Sequence, residues 1–167
     1  MTITMHQASV PLFQKMLHNL STFLDKGAAF AAHKKFDPAI LLASRLAPDM
    51  FPLAKQVQVA CDNAKGPLAR LAGVEIPKHD DNEKTVDELK ARIAKTLDFI
   101  GGLDPAKFNG AEDRELVLTI GGKEMRVKGG VYFFGRAIPN FLFHVTAAYT
   151  ILRHNGVEVG KGDFLAG

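Results

Sequence analysis

Tryptophan is absent, tyrosine occurs twice and cysteine once, at Cys61, in a chain of 167 residues. One thiol excludes an intrachain disulfide and any zinc site built from several thiolates of the same chain, and it fits a reducing compartment. No basic stretch followed by an apolar one opens the chain, and no uncharged apolar run nears the roughly 20 residues a membrane-spanning helix needs. A cytoplasmic protein with no membrane partner is expected. Runs of one charge are also scarce: Lys34 and Lys35 are the only adjacent pair among 21 Lys and Arg, which stand against 18 Asp and Glu for a net charge of +3. Without a basic stripe or interleaved aromatics, the footprint of a nucleic-acid binder is missing. Nucleophile elbow, phosphate-cradling glycine loop and dinucleotide fingerprint are missing too; Gly101-Gly102 and Gly129-Gly130 read as turn or cap signals.

What is present is apolar surface arranged for burial. Hydrophobic residues make up 47% of the chain and charged residues 23%, enough for one domain, residues 1–167, to build a core without staples. Met5, Leu12, Met16, Leu20 and Phe23, with Phe13, Leu17 and Leu24, recur at helical spacing and predict a first helix from about Thr4 to Ala32. Asp37-Pro38 opens a short helix that ends before Pro48. A second long helix carries Met50, Leu53, Val57, Ala60, Cys61, Ala64, Leu68 and Leu71, takes Pro52 in its first turn and stops at Gly73. Residues 74–84 are polar and read as a connecting loop. Thr85 and Glu88 form a capping box for a third helix with Val86, Leu89, Ile93, Leu97 and Ile100 on one stripe.

After Asp104-Pro105 the period changes from helical to twofold. Leu116, Leu118 and Ile120 alternate, Gly121-Gly122 makes a tight turn, and Met125 and Val127 alternate on the return, which predicts a β-hairpin with one face wet and the other on the bundle. A last long helix runs from Pro139 to His154 on Phe141, Val145, Ala148 and Leu152, with Asn155-Gly156 as a left-handed cap. Tyr132, Phe133 and Phe134 precede it either as an earlier turn kinked at Pro139 or as a separate short helix. Four amphipathic helices bury their stripes most simply against each other, so the expected fold is an all-α four-helix bundle with a small hairpin between helices three and four.

Arg45-Leu-Ala-Pro-Asp-Met50, Pro139-Asn-Phe-Leu-Phe-His144, Leu152-Arg-His-Asn-Gly156 and Gly160-Lys-Gly-Asp-Phe-Leu165 resemble, over nearly the whole chain, an uncharacterised bacterial domain-of-unknown-function family within the DinB-like and YfiT-like superfamily. The resemblance implies a four-helix bundle, often dimeric, whose better-known cousins hold a metal with three histidines, one from helix two and two from helix four at i, i+4. Here Ala148 stands four residues after His144 and Asn140 four before it, and helix two has no histidine. The nearest polar candidates there are Gln56 and Asp49, and an amide oxygen is a poor ligand for zinc or nickel.

His144 is the single best candidate for a functional group, as ligand or general base; its alternative is a buried histidine bonded across the bundle. Arg45, Asp49, Gln56, Asn140 and His144 are grouped as one candidate pocket between helices two and four, although Asp49 also reads as a cap and a partner for Arg45. His154 and Arg153 suit the helix C-terminus, and Cys61 falls on an apolar stripe as a small hydrophobe. Tyr132, Phe133, Phe134, Phe141 and Phe143 are expected in the core or at a dimer contact. Two functions follow as expectations. One is a ligand-binding or structural homodimer with no cofactor and a possible small-molecule ligand. The other, carried by the resemblance, is a metal-dependent transferase acting on a small thiol, with a divalent metal on His144 and His6.

Overall fold

The computed structural model describes residues 3–166. Thr4 starts α1 (Met5–Lys34) with a capping box: its hydroxyl accepts from Gln7 N–H, while the Gln7 side chain accepts from Thr4 N–H, which satisfies two of the donors a helix start leaves open. Short α2 (Ala39–Ala43) follows, with Ala39 N–H donating to Asp37 Oδ1. Next come α3 (Leu53–Ala72) and α4 (Val86–Gly101), the latter opened by the expected Thr85/Glu88 box. Gly73 closes α3 at φ +67°, a backbone state that suits glycine. Both α1 and α3 run through an internal proline, Pro11 and Pro67. A 3-10 turn at Pro105–Phe108 leads to the hairpin, β1 (Glu115–Ile120) and β2 (Lys123–Lys128). Then α5 (Gly129–Tyr132), a π-helical turn at Phe133–Ala137, α6 (Ile138–His154) and α7 (Lys161–Leu165) complete the chain.

The fold is therefore the expected one: four long helices, α1, α3, α4 and α6, with the hairpin between the third and fourth. One continuous cluster of buried side chains draws on all four, with Phe13, Phe23, Phe108, Phe133 and Phe141 as its largest fully buried members. Phe13 stacks at a tilt on Phe141, ring centroids 4.4 Å apart, and touches Phe133 at 5.8 Å. The open choice before α6 resolves into a single helical run. The backbone stays right-handed from α5 through the π turn into α6, so the irregularity is an inserted residue rather than a break at Pro139.

Three expectations need correction. Asp49 does not cap the second long helix and Met50 lies outside it: α3 starts at Leu53 with Pro52 at the cap position, because Pro48 and Pro52 hold the approach in turn and extended backbone. Only part of the hairpin's apolar face meets the bundle. Leu116 and Leu118 are buried and Val127 is half-buried, but Met125 is 50% exposed, since the turn end, residues 121–126, stands clear of the helices; the Ile120 side chain lies outside the described residues. Gly129-Gly130 is more than a cap. A Cβ on Gly129 would stand 2.0 Å from Ala111 O, so glycine alone lets the start of α5 close on the preceding loop, where Gly129 and Gly130 N–H donate to Arg114 O and Glu112 O at 2.8 and 2.9 Å.

Candidate functional site

Helices α3 and α6 face each other along a seam that carries two polar pairs. His144, 7% exposed, meets Gln56, 1% exposed, with Nδ1 2.7 Å from Oε1. The Gln56 amide is itself oriented, because its Nε2 donates to Phe51 O at 3.1 Å. Only the NH2 group can donate to that carbonyl, so Oε1 faces the imidazole as acceptor and Nδ1 must carry the proton. The neutral ring thus has its lone pair on Nε2. Burial pushes the His144 pKa below its ordinary 6.5, which keeps this tautomer neutral at pH 7. One turn earlier, Asn140 Nδ2 donates to Asn63 Oδ1 at 2.6 Å, and Asn63 Nδ2 donates to Val59 O at 2.9 Å.

Of the five residues grouped from the sequence, Gln56 and His144 are thus in direct contact and Asn140 belongs to the neighbouring pair. Arg45 and Asp49 are exposed on the segment before α3, and Arg45 Nη1 donates to Pro48 O at 3.2 Å. His6 lies on the first turn of α1 with its ring edge-on to Phe108, centroids 5.2 Å apart. Sequence reasoning missed Asn63; a signal existed, since its spacing of seven from Gln56 places both on one face of α3. A cavity of about 530 Å³, lined by Lys26, Phe30, His33, Lys34, Gly156 and Glu158 among others, contains none of the five.

The three-histidine metal set implied by the resemblance does not fit these residues. Its counterparts along the seam are amides and an alanine, and His144 Nδ1 is engaged by Gln56. Among the described residues, no group of three or more His, Cys, Asp or Glu side chains is placed to hold a metal ion.

A second polar cluster, absent from the sequence reading, lies where residues 74–84 cross α3 and α4. Its centre is Arg92, with a side chain 2% exposed. Nη1 donates to Asp80 O and Glu83 Oε1 at 2.9 and 3.0 Å, and Nη2 reaches Asp62 Oδ1 and Asp81 Oδ1 at 2.9 and 3.0 Å. Burial works against the guanidinium charge, but Glu83 and Asp62 together outweigh it and hold its pKa above the usual value. Buried Lys65 pairs with Asp62 and donates to Pro77 O at 2.7 Å, Gln58 Nε2 donates to Glu83 at 2.9 Å, and Lys55 pairs with Asp81. The polar loop is a strap, tied down by charge. Beneath it Cys61 is fully buried, and burial pushes its thiol up to about 12, so it is inert at neutral pH. His79, on the strap, is pushed below 6.5 by burial and then by the Lys65 and Arg92 charges.

No helix in the described residues is long and apolar enough to cross a membrane. A comparison with curated proteins finds no match. The crystal structure of a DinB family member protein from Shewanella denitrificans, at 1.83 Å resolution, is 47% identical to the chain over 97% of its length and 92% of that protein's, with a TM-score of 0.91. The model of the Domain of unknown function (DUF1993) matches residues 5–165. With bundle, hairpin position and seam in hand, these matches show that the chain belongs to the DUF1993 family, an uncharacterised group within the DinB-like superfamily.

Proposed function

We propose that this chain is a cytoplasmic, non-enzymatic bundle that works as a homodimer, structural or ligand-binding, and that its α3–α6 seam is a structural lock and not a metal centre. The observation that carries the reading is the His144–Gln56–Phe51 relay. It orients the imidazole across two helices, as buried polar groups do when they specify packing, while the positions from which a second and third ligand would come hold Asn140, Gln56 and Ala148. The single free, buried cysteine agrees with a reducing compartment.

The test is elemental analysis by mass spectrometry of untagged protein, purified without chelators or nickel resin, for wild type and His144→Ala. The expected result is transition metal well below one equivalent in both proteins. Near-stoichiometric metal in the wild type overturns the reading, and its loss in His144→Ala would make His144 a ligand and restore the metal-dependent thiol transferase as the function to pursue.

A further inference from the structure

The hairpin has one guarded edge and one open one. Gly121 and Gly122 both have positive φ, +58° and +77°, and join Ile120 to Lys123, the geometry of a two-residue I′ turn. In such a turn the flanking residues exchange both backbone hydrogen bonds, and the pairs then alternate along the ladder. Ile120, Leu118 and Leu116 therefore turn their N–H and C=O groups toward β2, and the alternation continues to Arg114, whose carbonyl accepts from Gly129 N–H at 2.8 Å. Glu115, Val117 and Thr119 turn theirs outward, and among the described residues no backbone partner meets them. On β2 the outward residues are Glu124, Arg126 and Lys128, the charged blunting that keeps an edge from pairing. From Leu116 to Thr119, β1 carries no charge, and Val117 is 52% exposed.

We propose that β1 is the contact through which two copies of this chain pair, antiparallel about a two-fold axis at Val117, to form a four-stranded sheet β2-β1-β1-β2. The inference rests on the homodimer reading above and names its interface. With the axis at Val117, the outward groups of Val117 meet those of the partner's Val117, and Glu115 meets the partner's Thr119 on each side. The pairs that must exchange backbone bonds are then the outward-facing ones, giving roughly six new hydrogen bonds. Directly opposed residues share a face, so Leu116 lies beside the partner's Leu118 on the inner face, and the two exposed Val117 side chains meet on the outer one. No like charges oppose each other, because Glu115 faces a threonine. The aromatic segment before and within α6 is the competing face: Tyr132, Phe133 and Phe141 are buried in the protomer's own core, but Phe134 and Phe143 are 58% and 55% exposed, and, being helical, the segment offers side chains without the unpaired backbone groups of β1.

The test pairs analytical ultracentrifugation with residue-resolved amide exchange on the wild type, above and below the dissociation concentration, and repeats the sedimentation on Val117→Lys. The expected result is a wild-type dimer whose Val117 and Thr119 amides exchange slowly in the dimer and freely in the monomer. Dimerisation of Val117→Lys is expected to be weaker by roughly tenfold or more, with unchanged circular dichroism. Val117→Pro is the second variant, because the Val117 N–H points out of the hairpin and its loss leaves the β1–β2 ladder whole. A wild-type dimer in which those two amides exchange freely, or with protection confined to Val131–Phe143, overturns this interface and leaves the homodimer standing. A wild type that stays monomeric at about 100 μM overturns both.

Discussion

His144 shows how one residue's surroundings can be turned into a measurement. Its pKa and that of His79 lie below 6.5, the first through burial, the second through burial and nearby cations. Above 6.5 both rings are neutral in the folded and the unfolded chain, and the full stability is present. As pH falls below 6.5 the unfolded chain takes up protons that the folded one refuses, so stability declines until the depressed folded pKa values are passed, and then levels. Asp81 and Asp163, held down by hydrogen bonds from Lys55 and Lys26, act lower: their contribution is present above the ordinary 3.8 and is lost as pH falls through their depressed values. Urea unfolding midpoints are therefore expected to fall between pH 7 and pH 5, and to fall less in His144→Gln, which retains a side-chain donor but cannot titrate. An identical decline in wild type, His144→Gln and His79→Gln would show that these rings are not its source. His144 stands out in the sequence because it sits between the apolar rows of the last helix, and Gln56 because the resemblance directs attention to the polar side chains of helix two. Pattern reading misplaced Arg45 and Asp49 because proximity in sequence says nothing about where an extended, proline-bounded segment points.

At the scale of elements, periodicity served well where burial is apolar and poorly where it is ionic. The Thr85/Glu88 box, the Gly73 stop and the Gly121-Gly122 turn are local chemistry, and each appears where the sequence puts it. Residues 74–84 read as a plain loop because polar residues are usually solvated; the strap exists because Arg92 is buried with them. Arg92 and Thr96 stand on the stripe between Leu89 and Ile100, at three and seven residues from Leu89, and that spacing was the available signal. Removing the guanidinium while keeping the carboxylates leaves Glu83 and Asp62 facing each other without their shared partner. Asp62 and Asp81 are 43% and 39% exposed, so water takes up part of the loss. Arg92→Met is expected to cost about 3 kcal/mol in urea unfolding, with faster amide exchange in residues 78–83. A variant as stable as the wild type, with unchanged exchange there, would show that the strap is held by its apolar contacts.

The whole molecule is organised around one core, and that has a thermodynamic consequence. Side chains from the four long helices, α2, the 3-10 turn, the hairpin and the segment after α6 belong to a single cluster of buried residues. Even the hairpin, which projects at its turn, contributes Leu116 and Leu118 to it. With no second core among the described residues to unfold separately, the chain is expected to melt in one cooperative transition, the calorimetric enthalpy matching the van't Hoff value per cooperative unit. For 167 residues the heat-capacity increment should be about 2–2.5 kcal/mol/K. Two resolved endotherms, or a calorimetric enthalpy near twice the van't Hoff value of a monomer, would mean that the hairpin with α5, or the strap, forms a separate unit. Scans at several protein concentrations read the assembly as well. If two chains are joined through β1, the melting temperature rises with concentration by mass action, and Val117→Lys moves that rise to higher concentration without splitting the transition.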